Sequence, residues 1–241
     1  MAQMLVLLLA AVFAALSGPE VSPRIHVDQV GYLPAAAKYA VVASPGEAAP
    51  FALRRAADDR VVYRGRLSPA RIDESSGDTV RLADFSAVKA AGEYYVDVPG
   101  VGRSYGFRIA PDVYQRAFYL AMRAFYGQRC GSAVDLGPEF PDYKHAICHT
   151  AGAWDPSSGR TGPRGSYHGW HDAGDYGRYV VNSGATVSTL LWAYELFPDR
   201  VRSIDLHIPE SGDASPDILD EVRWNLDWML TMQDSDGGVW Q

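Results

Sequence analysis

The periodicity of the hydrophobic residues changes near Pro111, and this change divides the chain into two differently built halves. Before Pro111, short segments with a period of two residues are separated by turn signals such as Pro99-Gly100. About seven strands at this spacing predict a small antiparallel β-sandwich over residues 24–110. The predicted strands are Ile25–Val30, Tyr39–Ala43, Phe51–Arg54, Val61–Arg66, Thr79–Leu82, Glu93–Val98 and Tyr105–Ile109.

After Pro111 the hydrophobic pattern takes a helical period. Asp112 can cap a first helix over Val113–Tyr126, because its side-chain oxygen can accept from the free N–H groups of the first turn. A second helix is predicted over Val180–Leu196, and a third from Pro216 or Asp217 to Gln233, where apolar residues recur every three or four positions. Three acids lie near the start of the third helix: Asp217, Asp220 and Glu221. We interpret them as stabilising the helix dipole and the cap rather than as catalytic residues.

The N-terminus carries an unbroken apolar run, Met4–Leu16, which is too short to span a bilayer. Small residues at Ala15 and Ser17 suit cleavage before Gly18, so residues 1–17 are predicted to be a signal peptide. The run lacks a preceding basic residue, and a buried strand or helix is the alternative. With the signal removed, the protein is expected to be secreted or periplasmic and to have no membrane partner.

The composition narrows the class of ligand. A formal net charge of -7, without clusters of Lys or Arg, excludes a nucleic-acid-binding stripe and makes an anionic membrane surface a poor partner. The chain is 12% aromatic, with 14 Tyr and 6 Trp. Many rings and few positive charges suit a ligand with apolar faces and hydroxyl edges, such as a sugar.

A long Gly- and Pro-rich loop from Gly127 to about Gly177 joins the first two predicted helices, and loops of this length are usually functional. Two thiols and several imidazoles in it could form a closed, tetrahedral zinc site that would keep the loop ordered. The alternatives are a disulfide, which export favours, or two buried thiols. The residues concerned are Cys130, Cys148, His149, His168 and His171.

The segment GWHDAGDYGRY in the same loop places two carboxylates, Asp172 and Asp175, three residues apart. Two acids this close repel each other, and a water held between them is primed for general-base chemistry. Trp170, Tyr176 and Tyr179 could form a platform for a sugar. The alternative, favoured for an isolated pattern of this kind, is an ordinary turn with Asp172 as a helix cap.

Taken together, these strings resemble glycoside hydrolase family 9, which comprises inverting cellulases and related β-glycanases. GWHDAGDYGRYVVNSG, FYGQRCG and PDILDEVRWNLDWML carry the resemblance in the second half. The first half, with HVDQVGYLP, ADFSAV, AGEYYVDV and GFRIAPDVY, resembles the Ig-like sandwich that precedes the catalytic domain in one branch. The resemblance implies a multidomain protein, an all-β Ig-like sandwich followed by the first helices of an all-α (α/α)₆ barrel, with residues 111–241 an incomplete catalytic domain.

The resemblance also implies roles for the loop residues. Asp175 matches the general base that activates a water, and Asp172 the partner that helps to hold it. Trp170 and Tyr176 are expected to shape a substrate subsite. Branch members with the Ig-like module often carry a structural zinc, for which His171 is a better match than His168. The implied zinc ligands are Cys130, Cys148, His149 and His171.

Two further expectations come from the resemblance. Calcium is common in the family, and Glu210 is a candidate ligand. An inverting glycosidase also needs a protonated acid roughly 6.5–9.5 Å from the base. In the family this acid is a Glu far downstream, beyond Gln241, so the chain is expected to be part of a longer protein and inactive alone.

The function expected of that longer protein is hydrolysis of β-1,4-glucosidic bonds in cellulose or related β-glucans, with inversion of configuration. A relative acting on another substrate, such as an exo-glucosaminidase or a mixed-linkage glucanase, is one alternative. A non-catalytic carbohydrate-binding module built on the sandwich is the other.

Overall fold

The computed structural model describes residues 20–44, 49–152, 157, 159 and 161–240. The predicted signal peptide over residues 1–17 therefore lies outside the described residues. The chain divides into two compact units, Met1–Gln115 and Arg116–Gln241. In the described part of the chain, no helix is both long and apolar enough to cross a membrane.

The first unit is built from antiparallel strands in two sheets, as the period of two predicts. Its strands are β1 (Ile25–His26), β2 (Tyr39–Ala43), β3 (Pro50–Arg55), β4 (Val61–Arg66), β5 (Arg71–Ile72), β6 (Thr79–Asp84), β7 (Gly92–Val98), β8 (Gly102–Arg103) and β9 (Phe107–Ile109). One sheet has the order β1-β2-β6-β5, and the other has β4-β3-β7-β8 with β9 also paired to β7. The sandwich predicted from the sequence is confirmed.

The strand predicted over Ile25–Val30 ends early, at His26. The cause is a local turn, because the Asp28 carboxylate accepts the backbone N–H of Val30 at 2.9 Å. Such an Asx turn competes with strand pairing. The two-residue strands β5 and β8 carry too little pattern to be predicted.

Alternate residues of the strands fill one apolar core between the sheets. Three rings form its centre: Tyr32 meets the edges of Phe85 and Phe107 at centroid distances of 5.2 and 5.1 Å. The other buried side chains of this core are Ile25, Ala40, Val42, Phe51, Leu53, Leu67, Ala83, Tyr94, Val96, Val98 and Ile109.

The second unit is helical, with helices α1 (Gln115–Gly127), α2 (Val180–Leu196), α3 (Pro198–Val201) and α4 (Asp217–Thr231). A small hairpin, β10 (Val134–Asp135) with β11 (Lys144–His145), interrupts the long loop. Helices α2 and α4 pack against each other. Buried residues of this second core are Met122, Tyr126, Val134, Trp170, Val187, Leu190, Val201, Leu206, Ile208, Ile218 and Val222.

Helix α1 starts later than predicted, and the first acid of α4 has a different role from the predicted one. Helix α1 begins at Gln115, whose N–H bonds to the Asp112 carbonyl at 2.9 Å, while the Asp112 carboxylate pairs with Arg108 at 3.4 Å. Helix α4 begins at Asp217, as predicted, but the Asp217 carboxylate bonds to the preceding loop rather than to the first turn of the helix. Its carboxylate accepts the Leu206 N–H at 2.7 Å and the Ser211 hydroxyl at 2.5 Å.

Candidate functional site

Two distant parts of the long loop pair as a short antiparallel ladder. Arg129 and Trp170 face each other in an isolated β-bridge. The N–H of Cys130 donates to the Gly169 carbonyl at 2.9 Å, and the N–H of His171 donates to the Gln128 carbonyl at 2.8 Å. This pairing brings a thiol and an imidazole from opposite ends of the loop to the same place.

The ladder completes a cluster of four metal-ligating side chains. One ligand atom from each of Cys130, Cys148, His149 and His171 lies within 4.8 Å of every other. Cys148 Sγ is 3.8 Å from His171 Nε2, and both cysteines are free thiols rather than a disulfide. In a tetrahedral zinc site the ligand atoms lie about 3.3–3.8 Å apart, as the Zn–S and Zn–N bond lengths require. The donor set therefore fits a metal ion after a contraction of about an ångström.

His168, the other histidine considered from the sequence, lies outside this cluster. Its backbone is left-handed, with φ at 69°. Its ring stacks on the indole of Trp224 with centroids 4.0 Å apart and an interplanar angle of 26°. This stacking leaves His171 as the fourth member of the cluster.

Burial sets the protonation of the two most buried members of this cluster, His171 and Cys130. It is the main cause that lowers the pKa of His171 to about 4, assisted by the nearby charges of His149 and Arg178. The imidazole is therefore neutral at physiological pH, as a metal ligand must be. Burial also raises the pKa of the Cys130 thiol to about 11, so a bound cation would have to displace its proton.

The two acids of the DAGD segment sit on a tight, exposed loop. The N–H of Asp172 donates to the Gly177 carbonyl at 2.8 Å, and the Asp175 carboxylate accepts the Gly177 N–H at 3.0 Å. The Asp172 carboxylate accepts from the Asn182 amide on α2, also at 3.0 Å. Residue Tyr179 occupies the N-cap position of α2, so Asp172 is not the cap of this helix.

The aromatic residues of the predicted sugar platform have different environments. Trp170 is only 6% exposed, and its indole N–H donates to the Glu221 carboxylate at 2.7 Å. Part of Trp170 still lines a cavity of about 210 Å³ together with Asp172, Tyr179 and Asn182. Tyr176 is 57% exposed, and its ring lies 5.0 Å from that of His171.

Beneath the ladder lies an ion cluster that the sequence analysis missed. The Arg129 side chain is 1% exposed and pairs with Glu221, which is fully buried on α4, at 3.1 Å. It also binds Glu210, with one guanidinium nitrogen on each carboxylate oxygen at 2.9 and 3.1 Å. Burial raises the pKa of the Glu221 carboxyl, while Arg129 and the Trp170 N–H oppose that shift. From the sequence Glu221 resembled an ordinary acid near a helix start, and no signal indicated its partner.

This arrangement also bears on the calcium expectation. Both oxygens of Glu210 bind Arg129, and Glu210 belongs to no cluster of metal-ligating residues within the described ranges. The Arg129 guanidinium occupies both oxygens of the Glu210 carboxylate, so the observed contacts give no support to a calcium ion at Glu210.

The fold and the site define the class of the protein. It has two domains, an Ig-like sandwich followed by a helical unit that carries an acidic loop and a Cys/His cluster. The model of the cellulase N-terminal ig-like domain matches residues 20–103, and the model of glycosyl hydrolase family 9 matches residues 114–241. The chain is therefore a member of glycosyl hydrolase family 9, with its Ig-like domain followed by the start of the family's catalytic domain.

Individual relatives agree with the family match. Endoglucanase D of Acetivibrio thermocellus is 41% identical over 215 residues, which are 89% of this chain and 34% of the relative. The crystal structure of a metagenome-derived glycoside hydrolase family 9 endoglucanase is 42% identical, with a TM-score of 0.78 over 90% of this chain and 42% of its own. A Zn-binding triple mutant of the family 9 endoglucanase J30 is 38% identical, with a TM-score of 0.78 over 86% of this chain and 40% of its own. The chain thus spans about a third of the curated relative's length.

Proposed function

We propose that the complete polypeptide containing this chain is an inverting glycoside hydrolase that cleaves β-1,4-glucosidic bonds of cellulose or a related β-glucan. The observation that carries the proposal is the exposed DAGD loop, with Asp172 beside a cavity, inside the segment that matches family 9. Exposed carboxylates fixed by hydrogen bonds can hold and deprotonate a water, which is the task of a general base.

Within this proposal Asp175 is the base. Its carboxylate accepts one backbone N–H, from Gly177, and is otherwise directed at solvent, so an oxygen remains for the attacking water. Asp172, held by Asn182, helps to orient the same water. Tyr176 offers its exposed ring to a sugar, and Trp170 supports the cavity from beneath. The general acid is assigned to no residue of this chain.

We assign a structural zinc ion to Cys130, Cys148, His149 and His171. Two thiolates and two imidazoles are the donors of closed zinc sites, and the four side chains are already gathered. When bound, the ion would supply a cross-link between distant parts of the loop that holds the DAGD segment. His171 is adjacent to Asp172, so the fixed imidazole would help to place this carboxylate.

We also propose export from the cytoplasm, to the exterior or the periplasm. This rests on the apolar run Met4–Leu16 and the small residues that follow it. Sequencing the N-terminus of the mature natural protein tests the proposal. A mature protein that retains residues 1–17 would contradict it.

The catalytic assignment is tested with Asp175→Asn in the complete polypeptide, assayed on cello-oligosaccharides. Loss of a general base lowers the rate by about 10²–10⁴-fold. Added azide, a nucleophile that needs no base, should restore bond cleavage to this variant and yield a glycosyl azide. Asp199→Asn, an exposed aspartate on α3, is the matched control and should keep the original rate. An Asp175→Asn enzyme as active as the parent would refute the assignment.

The stereochemistry provides an independent check. Proton NMR of the first product should show the α-anomer, because inversion of a β-glucosidic bond places the new hydroxyl on the opposite face. Initial release of the β-anomer would show a retaining mechanism and remove the role of Asp175 as the base in a single displacement.

A further inference from the structure

The buried carboxylate of Glu221 binds Arg129 and Trp170, the residues that immediately precede the candidate ligands Cys130 and His171. We propose that Glu221, with Arg129 as its counter-ion, is a positioning residue that fixes Cys130 and His171 in the geometry required for zinc. This inference rests on the zinc site proposed above and adds to it one determinant of the site's affinity.

The contacts of Glu221 converge from both strands of the ladder. Its Oε1 accepts the Trp170 indole N–H at 2.7 Å. Arg129 Nε approaches the two carboxylate oxygens at 3.3 and 3.2 Å. Arg129 immediately precedes Cys130, and Trp170 immediately precedes His171. One carboxylate on α4 thus holds the two residues adjacent to two ligands.

Through the extended backbone of the ladder, these contacts also determine where the side chains of Cys130 and His171 point. Successive side chains of an extended segment point to opposite faces. With Arg129 and Trp170 directed at α4, the side chains of Cys130 and His171 point to the other face, where the cluster lies. The bonds from Cys130 to Gly169 and from His171 to Gln128 fix the register between the two segments.

The arrangement is specific to an arginine in this place. Its guanidinium uses three nitrogens on two carboxylates, Glu221 and Glu210, and lies 4.4 Å from the ring centroid of Trp224. This planar fork can satisfy both acids at once, which the single ammonium of lysine cannot do. A buried ion pair is a weak source of stability, because desolvation offsets most of the attraction. We therefore attribute the presence of this buried ion pair to the precise placement of the neighbouring ligands, Cys130 and His171.

Residues that orient metal ligands through hydrogen bonds typically change metal affinity by 10–100-fold when replaced. We therefore expect Glu221→Gln, which keeps the shape of the side chain and an acceptor for Trp170, to weaken zinc binding at least tenfold. The measurement is competition with a chromophoric chelator, using the complete purified polypeptide stripped of metal. Arg129→Lys should have a similar effect.

The matched control is Arg123→Lys, because Arg123 on α1 is a second buried arginine and its side chain bonds elsewhere. It donates to the carbonyls of Leu206, His207 and Leu136, none of which adjoins a ligand. Both Arg123→Lys and Arg129→Lys should lower the melting temperature, but Arg123→Lys should leave the zinc dissociation constant within twofold of the parent. Affinity that falls in proportion to stability across all three variants would overturn the proposal.

Cobalt provides a readout of geometry that general destabilisation does not affect. Co²⁺ bound by two thiolates and two imidazoles gives visible ligand-field bands whose energies follow the coordination geometry. These bands should shift in Glu221→Gln and stay in place in Arg123→Lys. If Glu221→Gln does not fold, Trp170→Phe removes one hydrogen bond to the same carboxylate, and its bands should also shift.

The outcomes separate this inference from the zinc site itself. If the parent binds one zinc and Cys130→Ser abolishes it, the site stands, and an unchanged affinity and cobalt spectrum in Glu221→Gln overturn the positioning role alone. If the parent binds no zinc, the proposed site fails and the positioning role fails with it.

Discussion

Gly169 packs directly against the indole of Trp228, so that a β-carbon on Gly169 would lie 2.8 Å from the ring. The glycine also has a left-handed backbone, with φ at 78°. Its carbonyl accepts both the Cys130 N–H at 2.9 Å and the Trp224 indole N–H at 3.1 Å. The ladder beneath the Cys/His cluster therefore depends on a residue without a side chain at this point.

Gly169→Ala is expected to destabilise the helical unit by more than the cost of its backbone conformation. A left-handed alanine costs about 1–2 kcal/mol, and the clash with Trp228 adds to it. Gly137→Ala is the matched control, since Gly137 has φ at 76° and no atom within 4 Å of a β-carbon. Urea unfolding of each variant gives the two losses of free energy. Equal losses would mean that the Trp228 ring moves away without cost.

Lys38→Met is expected to destabilise the sandwich. Lys38 is fully buried, and its ammonium donates to the carbonyls of Pro34 and Ala36 at 2.8 and 2.7 Å. Methionine fills a similar volume but leaves these carbonyls unpaired, which costs about 1–3 kcal/mol for each group that water cannot reach. Thermal unfolding followed by circular dichroism measures the loss. Lys89→Met, at an exposed lysine, should be nearly neutral, and a similar loss at both sites would contradict the argument.

Asp217→Ala tests whether this acid serves the loop or the helix dipole. The carboxylate is buried and accepts the Leu206 N–H and the Ser211 hydroxyl, so its removal should cost about 1–3 kcal/mol of unfolding free energy. A helix-dipole contribution alone would be about 0.3–1 kcal/mol and would disappear at high salt. Chemical unfolding at low and high salt distinguishes the two. Asp227→Ala, at an exposed acid of α4, controls for the loss of charge.

The local hydrophobic pattern predicted most of the helices and strands, because nearby residues decide whether a segment forms a helix or a strand. Helix α2 occupies Val180–Leu196 as its unbroken run of helix-compatible residues predicts, and β2 and β4 keep the bounds given by their alternation. The prediction failed where a side chain competes with the backbone, as Asp28 does after β1. It also failed for α3, which is a single turn and too short for a period to be seen.

The residues of the candidate site could be predicted only as a set of chemical types. Spacing in the sequence suggested two thiols with two imidazoles, and the resemblance favoured His171 over His168 as the fourth ligand. The pairing of Arg129 with Trp170 depends on contacts far apart in the chain, so no local pattern contains it. Glu221 was missed for the same reason, since its partners lie on the loop and not on its own helix.

The protonation of the proposed zinc ligands predicts how zinc binding would respond to pH. The pKa of Cys130 is raised to about 11, so this thiol must give up a proton when the metal binds at neutral pH. The pKa of His171 is lowered from 6.5 to about 4, so this imidazole gives up none. Titration calorimetry of the complete polypeptide, in buffers of different ionisation enthalpy, should show proton release at pH 7. Release of about one proton or more per bound zinc is expected, and zinc binding without any proton release would contradict the argument.

The same pKa of His171 sets the sign of a stability change in the metal-free protein. Between pH 6.5 and about 4 the unfolded chain binds a proton at His171 that the folded chain does not. Stability must therefore fall as the pH is lowered through this window. Urea unfolding at pH 7 and pH 5 should show a smaller decrease in His171→Gln than in the parent, because glutamine does not titrate. A decrease of equal size in both would show that His171 remains accessible to protons in the fold.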